Sequence, residues 1–377
     1  MAETLPRWNA AEIDFIDVAS DDVKNRIISN LETAIGRTLE EGDPLYLVGL
    51  TFANEIINLR SAINISAQQQ ILSYAQGEYL DAYGVAFDCS RLQATPAVCD
   101  LKFTLSTPQE SVYTIPKGTQ VSNGSNESIF ETDADLIFEI GETEGTVSAS
   151  SINTGTFDNG LSINSLNVMV NPLPYIQSVV NTTKTAGGAD MESDARYAER
   201  LRDITNSITT AGPVASYRYH TMSVSPAISD VKIFTPSPGV VQVFVLLENG
   251  ELPTQTILEK VQSYLSAEEI RPLGDLVQAL APEVISYNVQ GRYYIDRANQ
   301  AQGVLIQNAI DSAVASYVSW QGEKIGRDLN RDELIKRMIV AGAKRVELEL
   351  PNYSILANYQ IAKNNEVNMI FAGYEEG

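Results

Sequence analysis

From Pro44 to about Tyr74 the chain sets apolar side chains at steps of three and four: Leu45, Val48, Phe52, Ile56, Leu59, Ile63, Ala67, Ile71 and Tyr74. This spacing keeps them on one side of an α-helix. At about 1.5 Å per residue it predicts a rod roughly 45 Å long. The stripe is narrow, and the other faces carry Asn54, Asn58, Asn64 and the run Gln68-Gln69-Gln70. Such a helix can lie in the core of its own chain or form a seam for helices of other chains. The length, more than a small domain covers, favours the seam. Leu45, Val48, Phe52, Ile56, Leu59 and Ile63 are therefore the candidate partner-helix interface.

A shorter helix precedes it, with the stripe Val23, Ile27, Leu31, Ile35 and Leu39. Ser20 is placed to cap it, and Asp21 and Asp22 suit the positive end of its dipole. Gly42-Asp43-Pro44 then reads as stop, cap and first turn of the next helix.

After Pro96 the texture changes. Val98, Leu101, Phe103 and Leu105 mix with turn residues, Val112-Tyr113-Thr114-Ile115 runs into Pro116-Lys117-Gly118, and Gly, Ser, Thr and Asn are dense through 118–165. Short strands with long connections are expected. From Asp190 the pattern alternates again. Helices are expected at Glu192 to Ile208, 214–224, 254–265, 299–319 and 331–341, and strands at 231–235, 240–247, 284–295 and 346–350. Antiparallel hairpins in this order argue α+β sandwiches. An internal echo links the helix, strand and Pro236 of the first unit to the helix, strand and Pro351 of the second.

The fold class is thus α+β and multidomain: an N-terminal long-helix region, a β-rich middle domain and C-terminal α/β sandwich units. The boundaries are an arm at 1–18, a helical bundle region at 19–95, a β-rich domain at 96–183, an α+β domain at 184–283 and a C-terminal α+β dimerisation domain at 284–377.

Charge narrows the partners. Of 377 residues, 26 are basic and 48 acidic, for a net charge of -22. The deficit is -8 over 1–95, -9 over 96–200 and -5 over 201–377, with no basic residue between Lys117 and Lys184. Nucleic acid and anionic membrane both need a cationic face, so neither is expected as a partner. No stretch approaches the roughly 20 apolar residues that cross a bilayer. Met1-Ala2-Glu3-Thr4-Leu5-Pro6 lacks the basic-then-apolar pattern of a signal peptide, so a chain made in a cytoplasm is expected.

Residues that carry chemistry are few. One histidine, His220, and two cysteines, Cys89 and Cys99, give neither an imidazole cluster nor a zinc or disulfide framework. There is no Gly-x-Ser-x-Gly elbow, Walker loop or dinucleotide fingerprint. Glu131, Asp133 and Asp135 alternate as if on one face of a strand, without the glycine-bearing loop a calcium site needs. Asp190, Glu192 and Asp194 crowd a helix start, where capping and the dipole account for them. No catalytic residue, metal, cofactor or small-molecule substrate is expected. One basic run stands out: Lys324, Arg327, Arg331, Lys336, Arg337, Lys344 and Arg345. It reads either as a solvated helix face interleaved with Asp328, Asp332 and Glu333, or as a self-association surface for an acidic neighbour.

Several unusual strings occur in a fixed order: Gly77-Glu78-Tyr79-Leu80-Asp81-Ala82-Tyr83-Gly84, then Arg91, Ala94, Pro96 and Ala97; Ile115-Pro116-Lys117-Gly118-Thr119; Phe130-Glu131-Thr132; and Gly155 through Asn159-Gly160. Then come Gly187-Gly188-Ala189-Asp190-Met191-Glu192-Ser193-Asp194 with Arg196 and Arg200, Thr210-Ala211-Gly212, Pro236 to Gly239, Ile270-Arg271-Pro272-Leu273, Gly342 to Val346 and Leu350-Pro351. This order resembles the baseplate J-like family over nearly the whole chain. The resemblance implies a structural wedge subunit of a contractile phage tail, R-type bacteriocin or related injection system, and not an enzyme. Its implied partners are a second copy of itself and a related wedge chain, joined through an N-terminal helical bundle, and other baseplate proteins including hub and sheath-initiating subunits. The C-terminal domains would close a six-fold ring around the hub, coupling baseplate rearrangement to sheath contraction. The particle would be assembled in the bacterial cytoplasm. Two rivals are a receptor-binding or fibre-attachment protein, for which repeats and aromatic clusters are missing, and a cell-wall hydrolase, for which one histidine is too few.

Overall fold

The computed structural model describes residues 6–124, 127–204, 214–272 and 274–376. Thr210-Ala211-Gly212, Leu273 and the end of the expected helix to Ile208 lie outside the described residues. The chain divides into two compact units, Met1–Arg91 with Ser193–Ile204, and Leu92–Glu192 with Thr205–Gly377.

The first unit is helical: α1 (Ser20–Ile35), α2 (Pro44–Gln68), α3 (Gly77–Val85) and α4 (Asp194–Arg202). Helix α1 ends earlier than its stripe suggests. Gly36, at φ 76°, forms the left-handed cap. Leu39 lies past the helix, still buried, with its N–H held by the Glu32 carboxylate at 2.9 Å. Ser20 is inside the helix and does not cap it; Ala19 holds that position. Asp43 and Pro44 behave as the sequence implies, the Asp43 carboxylate accepting from Leu45 N at 2.9 Å. Helix α2 has 25 residues, about 37 Å, and stops short of Tyr74. After Gln68 the chain turns through short-range bonds such as Ile71 N to Gln68 O, which carries Leu72 and Ala75 into a cluster with Leu80 of α3 and Tyr197, Ala198 and Leu201 of α4. That contact explains why residues 193–204, which the sequence alone groups with the α+β domain after them, pack with the N-terminal helices.

In the second unit, six antiparallel strands run in the order β7-β3-β4-β6-β1-β8. They are β1 (Pro96–Leu105), β3 (Gln120–Ser122), β4 (Ile129–Thr132), β6 (Glu144–Thr154), β7 (Val168–Met169) and β8 (Ile176–Asn181). Strands β2 (Tyr113–Ile115) and β5 (Leu136–Phe138) pair separately. Cys99, Leu101, Phe103 and Leu105 alternate inward on β1 and meet Ile115, Val121, Phe130, Phe138, Ala149 and Val179 in one core. Residues from both ends of the sheet share that core, so the sheet curls around it.

Two α+β modules follow. The first holds α5 (Val214–Met222), β9 (Ile228–Ser237), β10 (Val240–Leu247), α6 (Gln255–Leu265) and β11 (Leu276–Leu280), in sheet order β11-β10-β9. The second holds β12 (Glu283–Asp296), α7 (Gly303–Gly322), α8 (Arg331–Val340), β13 (Arg345–Leu350) and β14 (Gln360–Glu375), in order β13-β12-β14. The expected antiparallel hairpins are only half of each sheet: β10 pairs antiparallel with β9 but parallel with β11, and β12 pairs antiparallel with β13 but parallel with β14. A helical crossover returns the chain in the same direction, which hairpins cannot do. The helix–strand echo holds for α5-β9 and α8-β13, both ending on an antiparallel edge. It breaks afterwards, because β10 is central whereas β14 is the opposite edge.

Strand β10 reads Val-Val-Gln-Val-Phe-Val-Leu-Leu because both its faces are covered. Val241, Val243, Val245 and Leu247 face α5 and α6, while Phe244 and Leu246 pack with Ile325 and Ile361 of the second module. Buried Asp230 accepts from Ile325 N at 3.0 Å, which ties the same two modules together.

Candidate functional site

Helix α2 uses its two long faces differently. Small residues Gly49 and Ala53 are buried. A Cβ on Gly49 would come within 2.7 Å of Leu31 Cδ1 and 2.8 Å of Ile28 Cδ1, so glycine lets α1 approach this closely. The stripe singled out from the sequence lies elsewhere. Leu45, Val48, Phe52, Leu59 and Ile63 are 41 to 61% exposed, and Ile56 is half-buried. Fully covering one such side chain contributes about 1.5–3 kcal/mol, so the five half-covered ones have roughly 5 kcal/mol still to gain.

The polar stripe beside it has a role the sequence did not suggest. Asn64 is 5% exposed. Its Oδ1 accepts from Phe15 N at 2.9 Å and Ile16 N at 2.8 Å, and its Nδ2 donates to Ile16 O at 2.8 Å. One turn to either side, Arg60 donates to Asp17 O and Gln68 to Ile13 O. Tyr74 OH accepts from Ile13 N at 2.9 Å. Spaced four apart, Arg60, Asn64 and Gln68 form a ladder that pins the N-terminal arm along the helix. The side chain of an amide can satisfy both a backbone N–H and a C=O of an irregular segment, which is why these residues are polar.

Asp194, the last residue of the acidic string, meets the string 77–84. Asp194 accepts from Gly77 N at 2.9 Å and pairs with Arg91 at 2.7 Å, and Arg91 also pairs with Asp81 at 2.7 Å. The Arg91 guanidinium lies 4.8 Å from the Tyr197 ring centre. Partial burial pushes the Asp194 carboxyl up, but the Gly77 N–H and Arg91 outweigh it and hold it below the usual carboxylate range. Arg200 donates to Cys89 Sγ at 2.9 Å and to Ser90 O at 2.6 Å. Helix capping, the sequence explanation of the acids, is supplied by Ser193. Glu192 is buried and accepts from Leu92 N.

The basic run does not gather into one field. Arg327 and Arg337 converge on Trp320, at 4.0 and 5.1 Å from its ring centre, and Arg327 also donates to the Trp320 carbonyl. Burial holds the Arg327 guanidinium below its ordinary value. Arg337 pairs with Glu333 at 2.9 Å and Arg331 donates to Leu348 O at 3.1 Å. Lys344 pairs with Asp296 at 3.4 Å, and Arg345 pairs with Glu347 and Glu375. Lys324 and Lys336 are exposed, the latter 3.4 Å from Glu333. Sequence reading missed an apolar group nearby: Val304, Leu305, Ile339 and Val340 are 49 to 82% exposed. They flank the place where Gly342 meets Ile306.

The remaining candidates lie among neighbours of their own. His220 is buried, its ring 5.5 Å from Tyr219 and 6.1 Å from Tyr264. Strand β4 ends at Thr132, so Glu131, Asp133 and Asp135 do not share one strand face; they accept from Gln120, Ser148 and Lys117 N respectively. Cys89 and Cys99 are buried and form no disulfide, and burial pushes the Cys99 thiol up to about 12. Among the described residues no group of His, Cys, Asp and Glu is placed to hold a metal ion, and no helix is long and apolar enough to cross a membrane.

Three family models match in succession: the baseplate J-like N-terminal domain over 41–98, the baseplate J-like protein barrel domain over 100–188 and the baseplate J-like central domain over 209–281. The chain belongs to the baseplate J-like family. It is 28% identical to baseplate protein J of Escherichia phage P2 over 219 residues, 55% of this chain and 72% of that protein. A chain in the cryo-electron structure of the anti-feeding prophage baseplate aligns over 96% of this chain and 95% of its own length, with 12% identity and a TM-score of 0.38. The barrel model covers the curled sheet from Asp100 of β1 onward, the central model ends within one residue of β11, and the N-terminal model begins just before α2. The family is one of structural baseplate proteins, in keeping with the side chains described above, which hold backbone and neighbouring elements.

Proposed function

We propose that this baseplate protein is a wedge subunit. It assembles with a second copy of itself and a related wedge chain, and with hub and sheath-initiating proteins, into a six-fold ring around the hub. In that ring it passes baseplate rearrangement to the contracting sheath. It performs no catalysis. One observation carries the reading: α2 leaves an apolar ridge of Leu45, Val48, Phe52, Leu59 and Ile63 only half covered while its neighbouring faces are occupied by α1 and the arm. A ridge at this spacing is what helices of other chains need for knobs-into-holes packing. The C-terminal module, with exposed Val304, Leu305, Ile339 and Val340 beside the basic run, is the proposed self-association region.

The test is Phe52→Asp with Leu59→Asp in the full chain. Both side chains are more exposed than buried, so the variant keeps its helical circular dichroism and its melting temperature. Co-purification with the other baseplate proteins is lost, because a charge would enter an apolar seam. A variant that still assembles would refute the seam, and one that unfolds alone would return the ridge to this chain's own core.

A further inference from the structure

Lys363 of β14 is half-buried, and its Nζ donates to the Gly250 carbonyl in the turn after β10. An ammonium has three donors, so this bond leaves two. No carboxylate pairs with it among the described residues: Glu251, the acid that acts on it, is engaged by Lys184 at 2.9 Å. Burial holds the Lys363 ammonium below its ordinary value, Glu251 raises it in part and Lys184 opposes that. A charge taken partly out of water without a counter-charge is unfavourable, and an anion beside it relieves this. The ammonium is also fixed in place. Gly250 packs so closely on Gly322 of α7 that a Cβ would overlap the Gly322 carbonyl, and that Cβ would stand 3.6 Å from Lys363 Nζ. A donor already held where it is needed loses little freedom when a ligand arrives.

Lys363 lines a pocket of about 460 Å³. One wall is a face of α7 that carries Ala315, Val318, Ser319 and Gly322, at i, i+3, i+4 and i+7. Three of these are small and leave room: a Cβ on Gly322 would meet nothing nearer than Ala362 O, at 3.8 Å. Ala362 and Val367 of β14 add apolar surface, and Asn249 adds an amide that can donate. Among the described residues that line the pocket, Lys363 alone is charged. The site therefore balances one negative charge. A phosphate dianion would meet a single cation on a chain of net charge -22. The apolar walls in turn favour an aliphatic stem over a polyhydroxylated ligand. We propose that this pocket binds an aliphatic monocarboxylate, its carboxylate on Lys363 and Asn249 and its stem against Val318 and Val367. A free short-chain acid and the glutamate side chain of another protein both present that group.

Calorimetric titration of the full-length chain with hexanoate tests the proposal, with hexanol, hexylamine and inorganic phosphate beside it. Hexanoate is expected to bind and to raise the melting temperature. Lys363→Gln should weaken hexanoate by about tenfold or more, the loss of one hydrogen bond to a charged group. Glutamine keeps a donor for the Gly250 carbonyl, so this variant stays folded. Ala315→Trp, at an exposed position of α7, fills the pocket while leaving Lys363 in place, and it too should abolish binding. The capped peptide Leu-Glu-Leu, set against its Gln counterpart, distinguishes the two sources. Tighter binding of hexanoate assigns the site to a free acid. Tighter binding of the Glu peptide, lost in the Gln peptide, assigns it to an acidic side chain of a partner. Failure of both acids to bind, hexanol, hexylamine or phosphate binding as well as hexanoate, or hexanoate binding that both variants retain would each overturn the proposal.

Discussion

The Tyr197 hydroxyl of α4 occupies the space that a side chain on Gly84 of α3 would need. It donates to the Cys89 carbonyl at 2.5 Å, and a Cβ on Gly84 would crowd both the hydroxyl and that carbonyl. Two strings more than a hundred residues apart are therefore complementary at one point. Gly84→Ala should destabilise the helical unit by about 2–3 kcal/mol, since backbone as well as side chain must shift. Tyr197→Phe removes one hydrogen bond and should cost about 1–2 kcal/mol. Chemical denaturation of the two variants checks the order, and a Gly84→Ala chain as stable as the wild type would contradict the packing.

The arm clamp gives a second expectation. Asn64→Ala leaves the N–H groups of Phe15 and Ile16 without their acceptor. Amide hydrogen exchange at these two positions should accelerate by about tenfold or more, in line with a loss of 1–2 kcal/mol. Helix α2 keeps its circular dichroism, because alanine is a good helix former. Unchanged exchange would mean that the arm is held by something other than the amide.

Acid should loosen the helical unit through Asp194. Its carboxyl is held below the usual range in the folded chain, so it contributes stability above the ordinary value near pH 4. That contribution is lost as the pH falls through the depressed folded value. Asp194→Asn should lower the melting temperature at neutral pH and flatten its decline on acidification. An equally steep decline in the variant would assign the acid sensitivity to other groups.

Charge reversal separates the two roles of the basic run. Lys324→Glu and Lys336→Glu alter exposed cations, whereas Arg337→Glu also breaks the contacts with Trp320, Glu333 and Ser316. Sedimentation of the full chain should show weaker self-association for the lysine pair with no change in melting temperature, and weaker association in high salt for the wild type. Arg337→Glu should lower the melting temperature as well. Salt-independent association would place the contact on the apolar residues 304, 305, 339 and 340 alone.

The long helix, the β texture after Pro96 and most later elements were legible because each depends on neighbours within one or two turns. Asp43 before Pro44 starts α2, and the alternation of β1 marks an inward face, whatever the rest of the chain does. The family, too, was legible, since its strings keep their order along the chain. Tertiary structure alone decided the rest. Whether Asn64 is solvated or clamps Phe15 and Ile16 depends on a segment 48 residues away. Whether Arg345 is free depends on Glu375, 30 residues on. The parallel partners of β10 and β12 arrive only after helical crossovers, so local turn signals say nothing of them. An acidic residue beside a helix start reads the same whether it caps that helix or, like Asp194, fastens Gly77 and Arg91. Charge and hydrogen-bonding capacity are written in the residue, but the partner that uses them is supplied by the fold.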